Sequence, residues 1–100
     1  MFSIDKKANG DSVILSLIGK LNSVTSNEFK EQAFSIAADC KELCLDFSQL
    51  QYVASAGLRV ILELHKTMTA EGKNFSLTNV DDGTMEILKD TGLTRFLVIK

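Results

Sequence analysis

The sequence has no proline and no tryptophan, and among its 100 residues only one tyrosine, one histidine and two cysteines. Each shortage excludes something. With no proline, dispersed glycines and no repeat or low-complexity stretch, there is no linker at which to divide the chain. One hundred residues then suit one domain with one core, spanning residues 1–100. No apolar run reaches about 18 residues, so no membrane span is expected. The opening "MFSIDKKANG" lacks the charged-then-apolar layout of a signal peptide, which points to the cytoplasm. The cysteines, Cys40 and Cys44, are spaced C-x3-C with no second pair and no histidine cluster. That argues against a zinc site and predicts two reduced, buried or half-buried thiols. A net charge of −2 leaves no electrostatic footprint for nucleic acid. No G-x-G-x-x-G and no Walker loop occurs, and nothing in the composition asks for a cofactor.

What is present is a regular alternation of strand and helix patterns. "FSIDKKA" and "SVILSLIG" read as two strands joined by a hairpin at Asn9-Gly10. Thr25 and Glu28 form a T-x-x-E capping box, with Val24 and Phe29 at the staple positions around it. Phe29, Ala33, Ile36, Ala37 and Cys40 then mark one face of a helix of roughly four turns. "ELCLDF" is a nearly continuous apolar run, as in a strand buried on both faces, followed by a turn-like "SQLQ" and a short "YV". From Ser55 to about Glu71 the period is helical again. Gly57, Val60, Ile61, Leu64 and Met68 share one face, Arg59, Glu63, Lys66 and Ala70 the other, and Gly72 is the natural residue past the end. "NFSLTNV" reads as a strand, Asp81 as the cap of a third helix ending near Thr91-Gly92 with Val80 and Met85 as its staple, and "RFLVI" as a last strand. The order ββαβαβαβ predicts an α/β domain with a mainly parallel sheet and at least one antiparallel edge.

The stretch "YVASAGLRVIL" holds the most informative residue, Ser55. A serine nucleophile needs a base within hydrogen-bond reach. His65, the only histidine, lies ten residues along the same helix, about 15 Å away, and is expected to be a partly exposed surface residue. The pattern G-x-S-x-G also fails, because Val53 stands where its first glycine belongs. Asp81 and Asp82 suit the positive end of a helix better than acid–base work. Serine is among the best N-cap residues, so capping of the helix by Ser55 is the plain structural reading. Its neighbours Ala54, Ala56 and Gly57 are all small, however, and leave the hydroxyl uncovered at a helix N-terminus, a place suited to a phosphate.

The layout resembles the STAS domain, the fold of bacterial anti-sigma factor antagonists, over essentially the whole chain. "LIGKLNSVTSNEFK" is similar to the family's strand–G-x-L-D–helix segment. "ELCLDFSQLQYVASAGLRVIL" is similar to its strand followed by D-S-[ST]-G-L-x-x-[LIV]-[LIV], and "DTGLTRFLVI" to its end. The resemblance implies a sheet of about five strands with three main helices largely on one side. It also implies a non-enzymatic protein in a partner-switching circuit. Unphosphorylated, such a protein binds an anti-sigma factor that is also a serine kinase. Phosphorylation breaks the complex, and a PPM-type phosphatase resets it. By position Ser55 matches the phosphorylated serine. The implied partner-binding face is Asn22, Ser23, Ala54, Ala56, Gly57 and Arg59, with Asp46 either supporting the site or only capping the turn after its strand. Three residues depart from the family pattern: Asn22 and Ala54 stand where it usually has Asp, and Ala56 where it has Ser or Thr. Some stand-alone STAS proteins are instead subunits of membrane transport complexes, including ABC-type lipid transporters, where the same face would hold an ATPase subunit.

Overall fold

The structure, a computed structural model, describes residues 2–100. The hairpin strands β1 (Phe2–Asn9) and β2 (Ser12–Leu21) lead into helix α1 (Thr25–Ala38). Strand β3 (Glu42–Val53), helix α2 (Ser55–Ala70), strand β4 (Asn74–Thr78) and helix α3 (Asp82–Asp90) follow. A 3-10 turn at Leu93–Arg95 precedes strand β5 (Val98–Ile99). The strands form one sheet in the order β1-β2-β3-β4-β5. β1 runs antiparallel to β2, and all other pairs are parallel. This is the mixed α/β sheet that the order of elements predicts. Gly10 takes the positive φ, 63°, that the two-residue hairpin connection demands.

Alternation along β2 separates the two faces of the sheet. Val13, Leu15, Leu17 and Leu21 are buried, whereas Ile14 between them is exposed. α1 and α2 pack on each other and against β2 and β4. Phe29 and Ala33 of α1 and Ile61, Leu64 and Met68 of α2 lose all contact with solvent in doing so. Each of the larger ones contributes about 1.5–3 kcal/mol of transfer free energy. β3 departs from the sequence expectation of burial on both faces. Leu43, Leu45 and Phe47 are buried, but Glu42, Cys44 and Asp46 are only half-buried, because the helices cover one side. The expected thiol states hold: Cys40 is buried, Cys44 half-buried, and both are free. Burial pushes the Cys40 thiol pKa up, with the Lys73 charge opposing it.

The predicted turn at "SQLQ" does not exist. β3 runs unbroken for 12 residues beside β2, with two irregularities in register. Ser16 pairs with Asp46 and Ile18 with Gln49; Gly19 pairs with Leu50 and Lys20 with Tyr52. At each point β3 carries one extra residue, a bulge. The buried residues of β3 accordingly shift from a spacing of two (Leu43, Leu45, Phe47) to a spacing of three (Phe47, Leu50, Val53). That broken period is what reads as a turn in the sequence.

The last strand is also shorter than "RFLVI". Leu93 and Leu97 both enter the core, and the Leu97 N–H donates to the Leu93 carbonyl, so the chain coils once before β5. At the far end of α2 the expected stop is present. Gly72 has φ of 72°, its N–H donates to Thr69 O, and the Lys73 N–H donates to Met68 O at 2.8 Å, a Schellman motif. The Lys73 ammonium then donates to the Ala37 carbonyl at 2.8 Å, closing the C-terminus of α1.

Candidate functional site

Ser55 sits where the C-terminal ends of β2 and β3 give way to α1 and α2. The chain leaves β2 through Asn22, Ser23 and Val24. Asn22 Oδ1 accepts hydrogen bonds from the N–H groups of Val24 (2.9 Å) and Thr25 (3.0 Å). In return the Asn22 N–H donates to Thr25 Oγ1 at 2.9 Å, and the Ser26 N–H donates to the Asn22 carbonyl at 3.0 Å. The reciprocal pair at the start of α1 is therefore Asn22 and Thr25, three residues upstream of the predicted Thr25–Glu28 box. The predicted Val24–Phe29 staple is not made: Val24 is 80% exposed.

The start of α2 is different. The Ala54 N–H donates to the Leu21 carbonyl at 2.8 Å, which ties the β3–α2 junction to the end of β2. Ala54, extended at φ −90° and ψ 168°, is the N-cap, and no side chain caps the helix. The Ala54 carbonyl accepts from the N–H groups of Gly57 and Leu58. Ser55 is thus the first helical residue and not the cap that its type suggests. Its side chain is exposed, between half-buried Ala54 and Ala56. The first-turn N–H groups of a helix have no intrahelical partner, so α2 presents partial positive charge beside this hydroxyl.

Gly57 explains how α2 comes so close. It is buried, and a Cβ built on it would lie 2.7 Å from Leu21 Cδ2 and 3.2 Å from Val53 Cγ2. Leu21 is itself fully buried and cannot swing away. Gly57 therefore lies beneath the site and sets the distance between helix and sheet. Arg59, one turn beyond Ser55, is exposed on the same side of α2.

Of the residues expected around Ser55, the structure brings Asn22, Ser23, Ala54, Ala56, Gly57 and Arg59 to this end of the sheet. It does not bring Asp46, which lies seven residues and two bulges up β3, paired with Ser16 and Thr78. That is roughly 20 Å of strand. Asp46 Oδ1 accepts from Asn79 Nδ2 at 3.0 Å and from the Ser48 N–H at 2.9 Å. Partial burial pushes its carboxyl pKa up, but these hydrogen bonds outweigh that and hold it below the ordinary value. It ties the middle of β3 to the end of β4. Asp81 is the cap of α3 as expected, accepting from the Thr84 N–H at 2.7 Å, and that bond lowers its pKa.

Ser55 lines none of the main clefts. His65 is half-buried, ten residues along α2, and its Nδ1 is buried without a hydrogen-bond partner among the described residues. It lines a shallow apolar cleft with Leu62 and Phe96, away from the start of the helix. Among the described residues no three His, Cys, Asp or Glu side chains gather as a metal site. No helix among them is long and apolar enough to cross a membrane. Two residues bordering the site escaped the sequence reading. Val24 and Tyr52 are large, apolar and exposed; their exposure follows from the cap at Asn22 and the second bulge, and neither carries a local sequence signal.

Five strands in simple order and three helices define an α/β domain with one mixed sheet. The chain belongs to the STAS domain family, whose model matches residues 3–100. Solved structures agree. A candidate anti-sigma factor antagonist of Thermotoga maritima superposes with a TM-score of 0.89 at 26% identity, covering 96% of this chain and 84% of that one. An anti-sigma factor antagonist of Mycobacterium paratuberculosis gives 0.89 at 18% identity, covering 99% and 85%. The phosphorylated form of the Bacillus cell fate determinant SpoIIAA gives 0.77 at 15% identity, covering 100% and 91%.

Proposed function

We propose that this protein is an anti-sigma factor antagonist that works by partner switching, with Ser55 as its phosphorylated residue. Unphosphorylated, it binds an anti-sigma factor that is also a serine kinase. That kinase transfers the γ-phosphoryl group of ATP to Ser55 Oγ, the complex breaks, and a PPM-type phosphatase hydrolyses the ester to reset the switch. The protein is then the substrate of other proteins' chemistry and supplies no catalyst of its own.

The observation that carries this reading is the exposed Ser55 hydroxyl at the uncapped start of α2. The position corresponds to the family's phosphorylated serine, and a similar fold exists in a phosphorylated form. The physics is favourable. A phosphoserine carries about −1.5 to −2 charge at neutral pH and gains from the positive end of a helix. In a docking surface the same charge must be desolvated or repelled. Since about 1.4 kcal/mol is tenfold in affinity, one phosphate weakens binding by roughly ten- to a thousandfold with no change of fold.

The test is a pull-down with the full chain from native lysate supplied with ATP, followed by phosphosite mapping. The expected result is recovery of an ATP-binding kinase, phosphate on Ser55, retained binding by Ser55→Ala and lost binding by Ser55→Asp. Phosphate found only elsewhere, for example on Ser48, overturns the site. Equal binding by Ser55→Asp and wild type overturns the switch.

A further inference from the structure

The outer side of α2 carries Ser55, Arg59 and Glu63 at successive spacings of four. On a helix that spacing sets neighbouring side chains in one stripe, with Cβ atoms about 5–6 Å apart. Ser55 and Arg59 are exposed and Glu63 is half-buried. The stripe continues beyond α2. Glu63 Oε2 lies 3.2 Å from Lys30 Nζ, an ion pair that joins α2 to its packed neighbour α1.

The charges along this path alternate. From Lys30 back toward the start of α2 they run positive, negative, positive, and then reach the uncharged hydroxyl of Ser55. Arg59 forms no ion pair among the described residues, although Glu63 is four residues on. Glu63 is already committed to Lys30, and a base placed N-terminal to an acid is the weaker order on a helix. Glu28, on the neighbouring helix, is exposed and joins no ion pair either, so it does not hold Arg59. From Gln51 to Leu62 the chain has no acid at all. A negative charge on residue 55 would stand N-terminal to Arg59, which is the stronger order.

We infer that phosphorylation of Ser55 completes this network. The phosphate takes Arg59 as its counter-ion, and phosphate, Arg59, Glu63 and Lys30 form one alternating chain of charge from the start of α2 onto α1. The inference rests on the modification of Ser55 proposed above and adds what the modification does inside the protein. A phosphoserine carries about −1.5 to −2 charge, so it draws an arginine more strongly than one carboxylate does. The guanidinium fork also matches two phosphate oxygens at once. The phosphorylated chain is then the more stable form, because an ion pair is gained and none is broken. Arg59, unpaired in the unmodified chain, becomes held against its own helix, which withdraws it from the surface open to a partner.

The test needs no kinase. Phosphoserine is built into the full chain at position 55 during translation, and the melting temperatures of modified and unmodified chains are compared. The expected rise on modification is roughly 2–4 °C in low salt. Arg59→Gln removes about half of that rise or more, and Arg59→Lys keeps most of it. Arg95→Gln, on the 3-10 turn, leaves it whole. Lys30→Gln lowers the rise, because the freed Glu63 then competes for Arg59. High salt lowers it too, since exposed pairs are screened. A purely structural role for Arg59 would shift both melts alike and leave their difference unchanged. A modified chain that melts no higher than the unmodified one overturns the inference. So does a rise as large in Arg59→Gln as in wild type, or one that Lys30→Gln or salt leaves untouched. The two readings fail separately: phosphosite mapping decides whether Ser55 is modified, and these melts decide what the phosphate holds.

Discussion

The starts of α1 and α2 stand side by side at one end of the sheet and are built in opposite ways. α1 is closed by its own sequence, with Asn22 Oδ1 on two backbone N–H groups and Thr25 Oγ1 returning the bond. α3 is closed too, by Asp81. α2, the longest helix at 16 residues, has Ala54 as its cap residue and no side chain on its first N–H groups. A serine lies next to that opening and does not fill it. The difference is in what the polar side chains do: at α1 they take up first-turn N–H groups, and at α2 the hydroxyl stays free beside N–H groups that no side chain caps. A side-chain cap at this point is worth about 1 kcal/mol, and α2 does without it.

The contrast can be broken most severely from below. Gly57→Val places a branched side chain against Leu21, where even a Cβ lies 2.7 Å from Cδ2. The expected loss is about 1–3 kcal/mol from overpacking, or several degrees in Tm for a domain of this size. An unchanged melting curve would show that α2 can lift off the sheet freely. Exchanging the two designs sharpens the comparison. Ala54→Asp gives α2 the cap it lacks and is expected to stabilise by about 1 kcal/mol, while Asn22→Ala removes the cap of α1 and destabilises by a similar amount. Urea unfolding of both variants reads this directly; shifts of the same sign would sink the idea that only α2 is open.

The smallest effect is one of pH. The carboxyls of Asp46 and Asp81 titrate below their ordinary value of 3.8 in the folded chain. The unfolded chain therefore binds more protons in this range, and stability falls with falling pH. The contribution is complete above the unfolded pKa and is lost as pH drops through the folded values. Asp46→Asn, with no carboxyl to protonate, is expected to have a flatter acid limb in unfolding measured from about pH 5 downward. Parallel limbs for wild type and variant would remove Asp46 from this account.

Much of this was legible in the sequence, because the relevant forces are local. Hairpin, helix faces, the Gly72 stop and the Asp81 cap all follow from residues within a turn or two of each other. The misses are residues whose neighbours in space are distant in sequence. The bulges of β3 arise where it must follow β2, and they turn a strand into an apparent turn around Ser48 and Leu50. Thr25 looks like a cap, but Asn22, delivered by the end of β2, takes that place. Ser55 looks like a cap, but the bond from the Ala54 N–H to Leu21 keeps the chain extended one residue further. Asp46 is near the motif in sequence and far from it along the strand. Only the burial of Gly57 against Leu21 shows why a glycine is needed at that position.

The unequal width of the sheet has a dynamic consequence. β3 pairs with strands on both sides only from Glu42 to Asp46; from Gln49 to Val53 its register is with β2 alone, across two bulges. Backbone there is held on one side and opens more readily than the segment sandwiched between β2 and β4. Tyr52 and the entry to Ser55 thus ride on a part of β3 that is paired on one side only. Small opening motions can remould that end while the five-strand half keeps its shape.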